Sequence, residues 1–132
     1  MDINLGEKFE KTFLVSEDIY QGFISIFKDK NPLHTDEEFA KIRGFKGRVM
    51  HGNILNGFIS FFIGECLPTK NVIIHSQDIQ FKNPVYLNDH VDFEAVVTGV
   101  YESVNALEFK FTFRNSDALL LAKGKIQIGI LS

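Results

Sequence analysis

Cysteine is all but missing: Cys66 stands alone among 132 residues. A single thiol can close no internal disulfide and build no cysteine metal cluster. Tryptophan is absent altogether. No block of like charge exceeds three residues, and the formal net charge is −3. That balance argues against a nucleic-acid surface. The longest apolar run, residues 54–67, is too short to span a bilayer and carries Glu65. The chain does not open on the basic-then-apolar pattern of a secretory leader. The expectation is a soluble cytoplasmic protein with neither membrane nor nucleic acid as partner.

What is present is a sizeable core. Hydrophobic residues make up 45% of the chain and charged residues 23%, with phenylalanine at 14 positions. That composition excludes disorder, and the length is that of one domain, expected to cover residues 1–132.

The first half reads as one strand followed by helices. Residues 9–15 suit a first strand, and Ser16 before Glu17 and Asp18 signals a helix start. Ile19, Phe23, Ile26 and Phe27 then recur at helical spacing. Asn31-Pro32 disfavours helix at Asn31. Thr35-x-x-Glu38 predicts a capping box for a short helix carrying Phe39 and Ile42, with Gly44 at its C-terminal end. Residues 53–66 are apolar nearly all round, predicting a helix buried on most of its surface and ended by Pro68. Gly57 and Gly64 face the same way on it and suggest the close approach of another element. Cys66 is expected to be a small buried apolar residue.

The second half reads as four strands, over residues 72–81, 91–100, 107–114 and 118–131. The third alternates most cleanly, with Leu107, Phe109, Phe111 and Phe113 against Glu108, Lys110, Thr112 and Arg114. Helix pair, buried helix and antiparallel sheet together make an α+β layer arrangement. Its free sheet edges invite pairing of two copies.

Residues 29–60 carry the chemistry. Asp29 and His34 lie five apart across a Pro-containing turn, so both side chains can enter one pocket. Histidine is the group suited to move protons near neutral pH. Taken alone, such a pair also fits a turn or a cap. Gly52 precedes the apolar helix, where an unpaired backbone N–H and the helix dipole favour negative charge. Asn31 and Pro32 fit scaffold roles, one bonding backbone and the other fixing the turn.

These residues resemble a known family. The run Asp29-Lys30-Asn31-Pro32-Leu33-His34, with Ala40 six further on, resembles the signature of the R-specific enoyl-CoA hydratases. These are MaoC-like dehydratases with the hotdog fold, an antiparallel sheet wrapped around a long central helix. The resemblance continues through Val15-Ser16-Glu17-Asp18-Ile19, Met50-His51-Gly52, Ser60, Phe81-Lys82-Asn83-Pro84-Val85 and Asp89-His90-Val91. One departure stands out: the family usually places a small residue and a glycine before the aspartate, where this chain has Phe27 and Lys28.

The resemblance implies reversible hydration of a trans-2-enoyl thioester of CoA or acyl-carrier protein, in fatty acid metabolism. It implies Asp29 and His34 as the catalytic pair and Gly52 as the oxyanion-hole donor. Ser60 and His51 fall in the substrate pocket, though Ser60 equally suits a helix serine bonding its own backbone. His51 equally suits packing or a backbone bond. No metal and no redox cofactor is implied, and the partner is a second copy, as a homodimer or larger homo-oligomer. Phe58, Phe61 and Phe62, where they line the acyl end, would restrict it to short chains.

Three alternatives stay open. A hotdog thioesterase would use an acid on the central helix, where Glu65 is the one acid. A non-catalytic acyl-thioester binder would accommodate Lys28 more easily. A cone-shaped α+β barrel binding a steroid-like ligand explains the order of elements but not the order of motifs.

Overall fold

The computed structural model describes residues 2–132. Strand β1 (Lys8–Leu14) leads into helix α1 (Glu17–Phe27). The Ser16 hydroxyl accepts from the Ile19 N–H at 3.2 Å, and Glu17 and Asp18 occupy the first turn, as the sequence predicts. Two short helices follow, α2 (Pro32–Thr35) and α3 (Glu37–Ile42). Helix α4 (Asn53–Phe61) continues into a π-helical turn, Phe62–Cys66. The remaining strands are β2 (Val72–Phe81), β3 (His90–Tyr101), β4 (Ala106–Arg114) and β5 (Leu120–Ile130).

All five strands join one antiparallel sheet in the order β1-β3-β4-β5-β2. Its inner face wraps α4, the hotdog arrangement that the resemblance implies. On β4 every expected core position is buried: Leu107, Phe109, Phe111 and Phe113. Their charged and polar neighbours point away, because successive side chains of a strand alternate faces. Helix α4 and its π turn supply Ile54, Leu55, Phe58, Ile59, Phe62 and Ile63 to the same core. Phe62 packs 4.8 Å from Phe93, and Phe58 stacks on Phe13 at 4.4 Å between ring centres.

Several expectations are corrected. Thr35 does not cap α3. Asp36 does, accepting from the Phe39 N–H at 3.1 Å, while the Thr35 hydroxyl turns back to the carbonyls of Lys30 and Asn31. Asp outcompetes because Thr35 is already the last residue of α2. The central helix is not buried all round: Asn53, Gly57, Ser60, Phe61 and Gly64 are exposed along one side. The sheet covers only the opposite face. Among the described residues no atom crowds the place of a Cβ at Gly57 or Gly64; either would meet open space. Cys66 is exposed, at the end of the π turn. The last strand begins at Leu120, since Ala118 adopts φ +63° in the preceding turn.

The turns otherwise follow their residues. Gly44 takes φ +90° just past α3, a conformation glycine adopts without steric cost. Asn115 accepts from the N–H groups of Asp117 and Leu119, both at 3.0 Å. The bond from Met50 N–H to the Val85 carbonyl, 2.8 Å, ties the start of α4 to the sheet half.

Candidate active site

The segment between α1 and α4 brings Asp29, His34 and His51 together. Helix α1 ends at Lys28, whose backbone turns left-handed at φ +62° and donates to the Ile24 carbonyl at 2.8 Å. Glycine suits such a position, and Lys28 adopts it at a steric cost. The Lys28 ammonium points back to the Ser25 carbonyl. Asn31 then caps α2, accepting from the Leu33 N–H at 3.0 Å, with Pro32 at the first helical position.

Each member of the pair is held by main chain. Asp29 Oδ1 accepts from the Asn31 N–H at 3.2 Å, leaving Oδ2 free. His34 Nδ1 lies 2.7 Å from the Val49 carbonyl, so Nδ1 carries the donated proton. His34 Nε2 then faces Asp29 Oδ2 at 3.9 Å. That gap exceeds a hydrogen bond and suits one bridging oxygen atom. The Asp29 side chain is half exposed and that of His34 is mostly covered.

His51 is buried, and its ring stacks on His34 with centroids 4.0 Å apart. Its Nε2 lies 2.8 Å from the main-chain carbonyl of Asp29. Ligand atoms of Asp29, His34 and His51 lie within 4.8 Å of one another, a spacing that could hold a cation. His34 Nδ1 and His51 Nε2 are already bonded to carbonyls, which leaves Asp29 Oδ2 and His34 Nε2 facing each other and His51 Nδ1 buried without a partner among the described residues.

Gly52 stands at the N-terminal cap of α4. Among the described residues no acceptor takes its N–H. A Cβ there would come within 2.8 Å of the Phe81 ring. The half-exposed Phe81 ring would have to shift to admit it, a closeness the sequence did not reveal.

Two open cavities flank the pair. One, of about 850 Å³, is an apolar groove between α1 and α4, with Phe23, Phe27, Gly57 and Phe58 in its walls and Asp29 at its edge. The other, about 420 Å³, is lined by His34, Gly52, Phe81 and Lys82 among others. Asn53 borders both. Ser60 lies exposed on α4 and lines neither. Of the three phenylalanines expected at an acyl end, only Phe58 lines the groove; Phe62 is core and Phe61 is exposed. The α1 wall is not foreseen in the sequence, where Phe23 and Phe27 at helical spacing mark only a short amphipathic helix.

The sequence model of the MaoC like domain matches residues 3–114. The chain belongs to that family. Within it, this MaoC-like chain is 36% identical over 112 residues to the (R)-specific enoyl-CoA hydratase of Rhodospirillum rubrum, covering 84% of this chain and 77% of that one. It is 33% identical over 97 residues to a 3-hydroxybutyryl-CoA dehydratase of Methylorubrum extorquens, covering 74% and 60%. The solved (R)-hydratase from A. caviae superposes with a TM-score of 0.90 at 26% identity, over 98% of both chains. The MaoC-like domain thus has the hotdog fold of these hydratases.

Proposed function

We propose that this chain adds water across trans-2-enoyl thioesters to give R-3-hydroxyacyl thioesters, and runs the reverse dehydration. The observation that carries the reading is the 3.9 Å gap between Asp29 Oδ2 and His34 Nε2 beside the open helix start at Gly52. A water in that gap can hydrogen-bond to both groups. One of the pair takes a water proton as the oxygen attacks C3. Charge moves to the thioester oxygen, and a proton returned to C2 completes the addition. Asp29 and His34 act as one coupled unit in this transfer. The Gly52 N–H and the helix dipole stabilise the thioester oxyanion; one such donor is worth on the order of 3 kcal/mol of barrier.

The substrate is an acyl thioester of CoA or acyl-carrier protein. Its acyl chain fits the apolar groove between α1 and α4, and Phe23, Phe27 and Phe58 favour short chains there. Ser60 stands further along the exposed side of α4, where a longer chain would reach. Among the basic groups near the site that could meet a CoA phosphate, Arg48 is occupied by Glu37 and the Tyr20 ring. Lys28 and Lys46 remain nearer solvent.

A single domain over residues 1–132 is part of this reading, since β5 completes the sheet beyond the matched region. So is a homodimer. Strand β2 has a free edge with Ile73 half exposed. The other edge, β1, carries Lys8, Glu10 and Lys11 and is protected by charge. A second copy on the β2 edge would cover Ile73 and satisfy the unpaired backbone of that strand. Among the described residues no helix is long and apolar enough to cross a membrane.

The thioesterase alternative is disfavoured because the Glu65 carboxylate is tied to Lys70 at 2.8 Å. The test is turnover of a four-carbon trans-2-enoyl-CoA, followed by loss of the conjugated double bond, with product chirality determined. The expected outcome is an R-alcohol formed by wild type and lost in Asp29→Asn and His34→Ala. Thiol release from a saturated acyl-CoA, or tight binding with no turnover of CoA and carrier-protein substrates, would overturn it.

A further inference from the structure

His51 is the one polar residue classed with the buried core among the described residues. Its Nδ1 is buried with no hydrogen-bond partner. An unpaired buried polar atom costs about 1–3 kcal/mol. Packing alone would therefore favour an apolar ring, and Phe23, 4.6 Å away, offers it an apolar neighbour. What imidazole adds is the Nε2–H that reaches the Asp29 carbonyl at 2.8 Å. The same ring lies against His34 at 4.0 Å. His51 thus touches both members of the pair, one through a directional bond and the other through its face.

We propose that His51 is a positioning residue that sets the separation of Asp29 and His34. The inference rests on the hydratase reading and deepens it. Asp29 sits in an exposed loop, and its carboxylate is anchored only through the Asn31 N–H two residues on. That local bond shapes the turn but does not fix it against the rest of the fold. The bond from His51 does, because Met50 beside it is tied to Val85 of the sheet half. His34 is fixed independently through Val49. Without the His51 donor, the Asp29 loop is free to shift relative to His34. A displacement near 1 Å can cost on the order of 100-fold in rate.

Two variants separate this role from packing. His51→Phe keeps a ring against His34 and removes the donor. His51→Gln places an amide N–H near the former Nε2. Expected for His51→Phe is a folded protein whose kcat falls roughly 10- to 100-fold, with KM little changed. His51→Gln should recover most of that loss. A His51→Phe enzyme as fast as wild type, or a folded His51→Gln no better than His51→Phe, would overturn the proposal.

A second readout does not need activity. The Asp29 carbonyl ¹³C resonance should move in His51→Phe and return toward wild type in His51→Gln. If wild type turned over no enoyl thioester, the hydratase reading would fail. The carbonyl resonance would still decide the positioning role, and an unmoved signal in folded His51→Phe would reject it.

Discussion

The sheet and the segment from Lys28 to Gly52 are built on different physics. In the sheet, Phe93, Phe109 and Phe113 are fully buried, and their placement follows from apolar area and strand alternation. In the segment, Asp29, Asn31, Thr35 and Asp36 are exposed, yet each is bonded to nearby main chain. Apolar burial is non-directional and tolerates small shifts, so it provides stability. Hydrogen bonds are directional and place individual atoms, so they provide the geometry that chemistry needs. A fold can thus carry a precise site on a thinly buried loop, provided a bulky sheet holds the ends of that loop.

The comparison predicts that damage to the two regions will separate. Asp29→Asn should lose about 10²- to 10⁴-fold in kcat while urea unfolding changes by no more than about 0.5 kcal/mol. Loss of stability in step with loss of rate would break the comparison. Phe109→Ala should do the reverse, costing about 3–5 kcal/mol by the same unfolding measurement. At the boundary between the regions, Gly57→Leu would fill the groove. The ratio of kcat/KM for long over four-carbon substrates should then drop roughly tenfold, as one or two lost methylene contacts allow. An unchanged ratio would place the acyl chain elsewhere.

The smaller effects sharpen the picture. Lys28→Gly should raise stability by about 0.5–1 kcal/mol with turnover kept, since glycine relieves the left-handed strain. Smallest is the pair outside both regions. The hydrogen bond and charge of Lys70 hold the Glu65 carboxyl below its ordinary value. A lowered folded value adds stability above the unfolded value, lost as pH falls through the folded one. The difference in melting temperature between wild type and Lys70→Met should therefore be slight at neutral pH, where exposed pairs contribute little, and vanish in acid.

Particular residues show how far the sequence could be read. Alternation at Leu107 to Phe113 predicted the burial of β4 without error, because strand geometry converts period two into two faces. Asp29 and His34 were legible through their Asn-Pro frame. Thr35 was misread because Thr-x-x-Glu and Asp-x-x-Phe overlap, and a single residue shift decides which side chain meets the free N–H. Cys66 and the exposed side of α4 were misread because hydrophobicity says what prefers burial, not whether this chain supplies the cover. The closeness of Gly52 to Phe81 was invisible, since the two are far apart in sequence and adjacent only in space.

The sequence by itself determined the family, the layer order and the residue types available for proton transfer. Those depend on local patterns and short spacings, which are written in consecutive residues. Tertiary structure alone decided that Val49 orients His34, that His51 reaches Asp29, and that α1 and α4 open a groove between them. The two hydrogen bonds join residues 15 and 22 positions apart through backbone carbonyls, which every residue carries alike and which no side-chain pattern can announce.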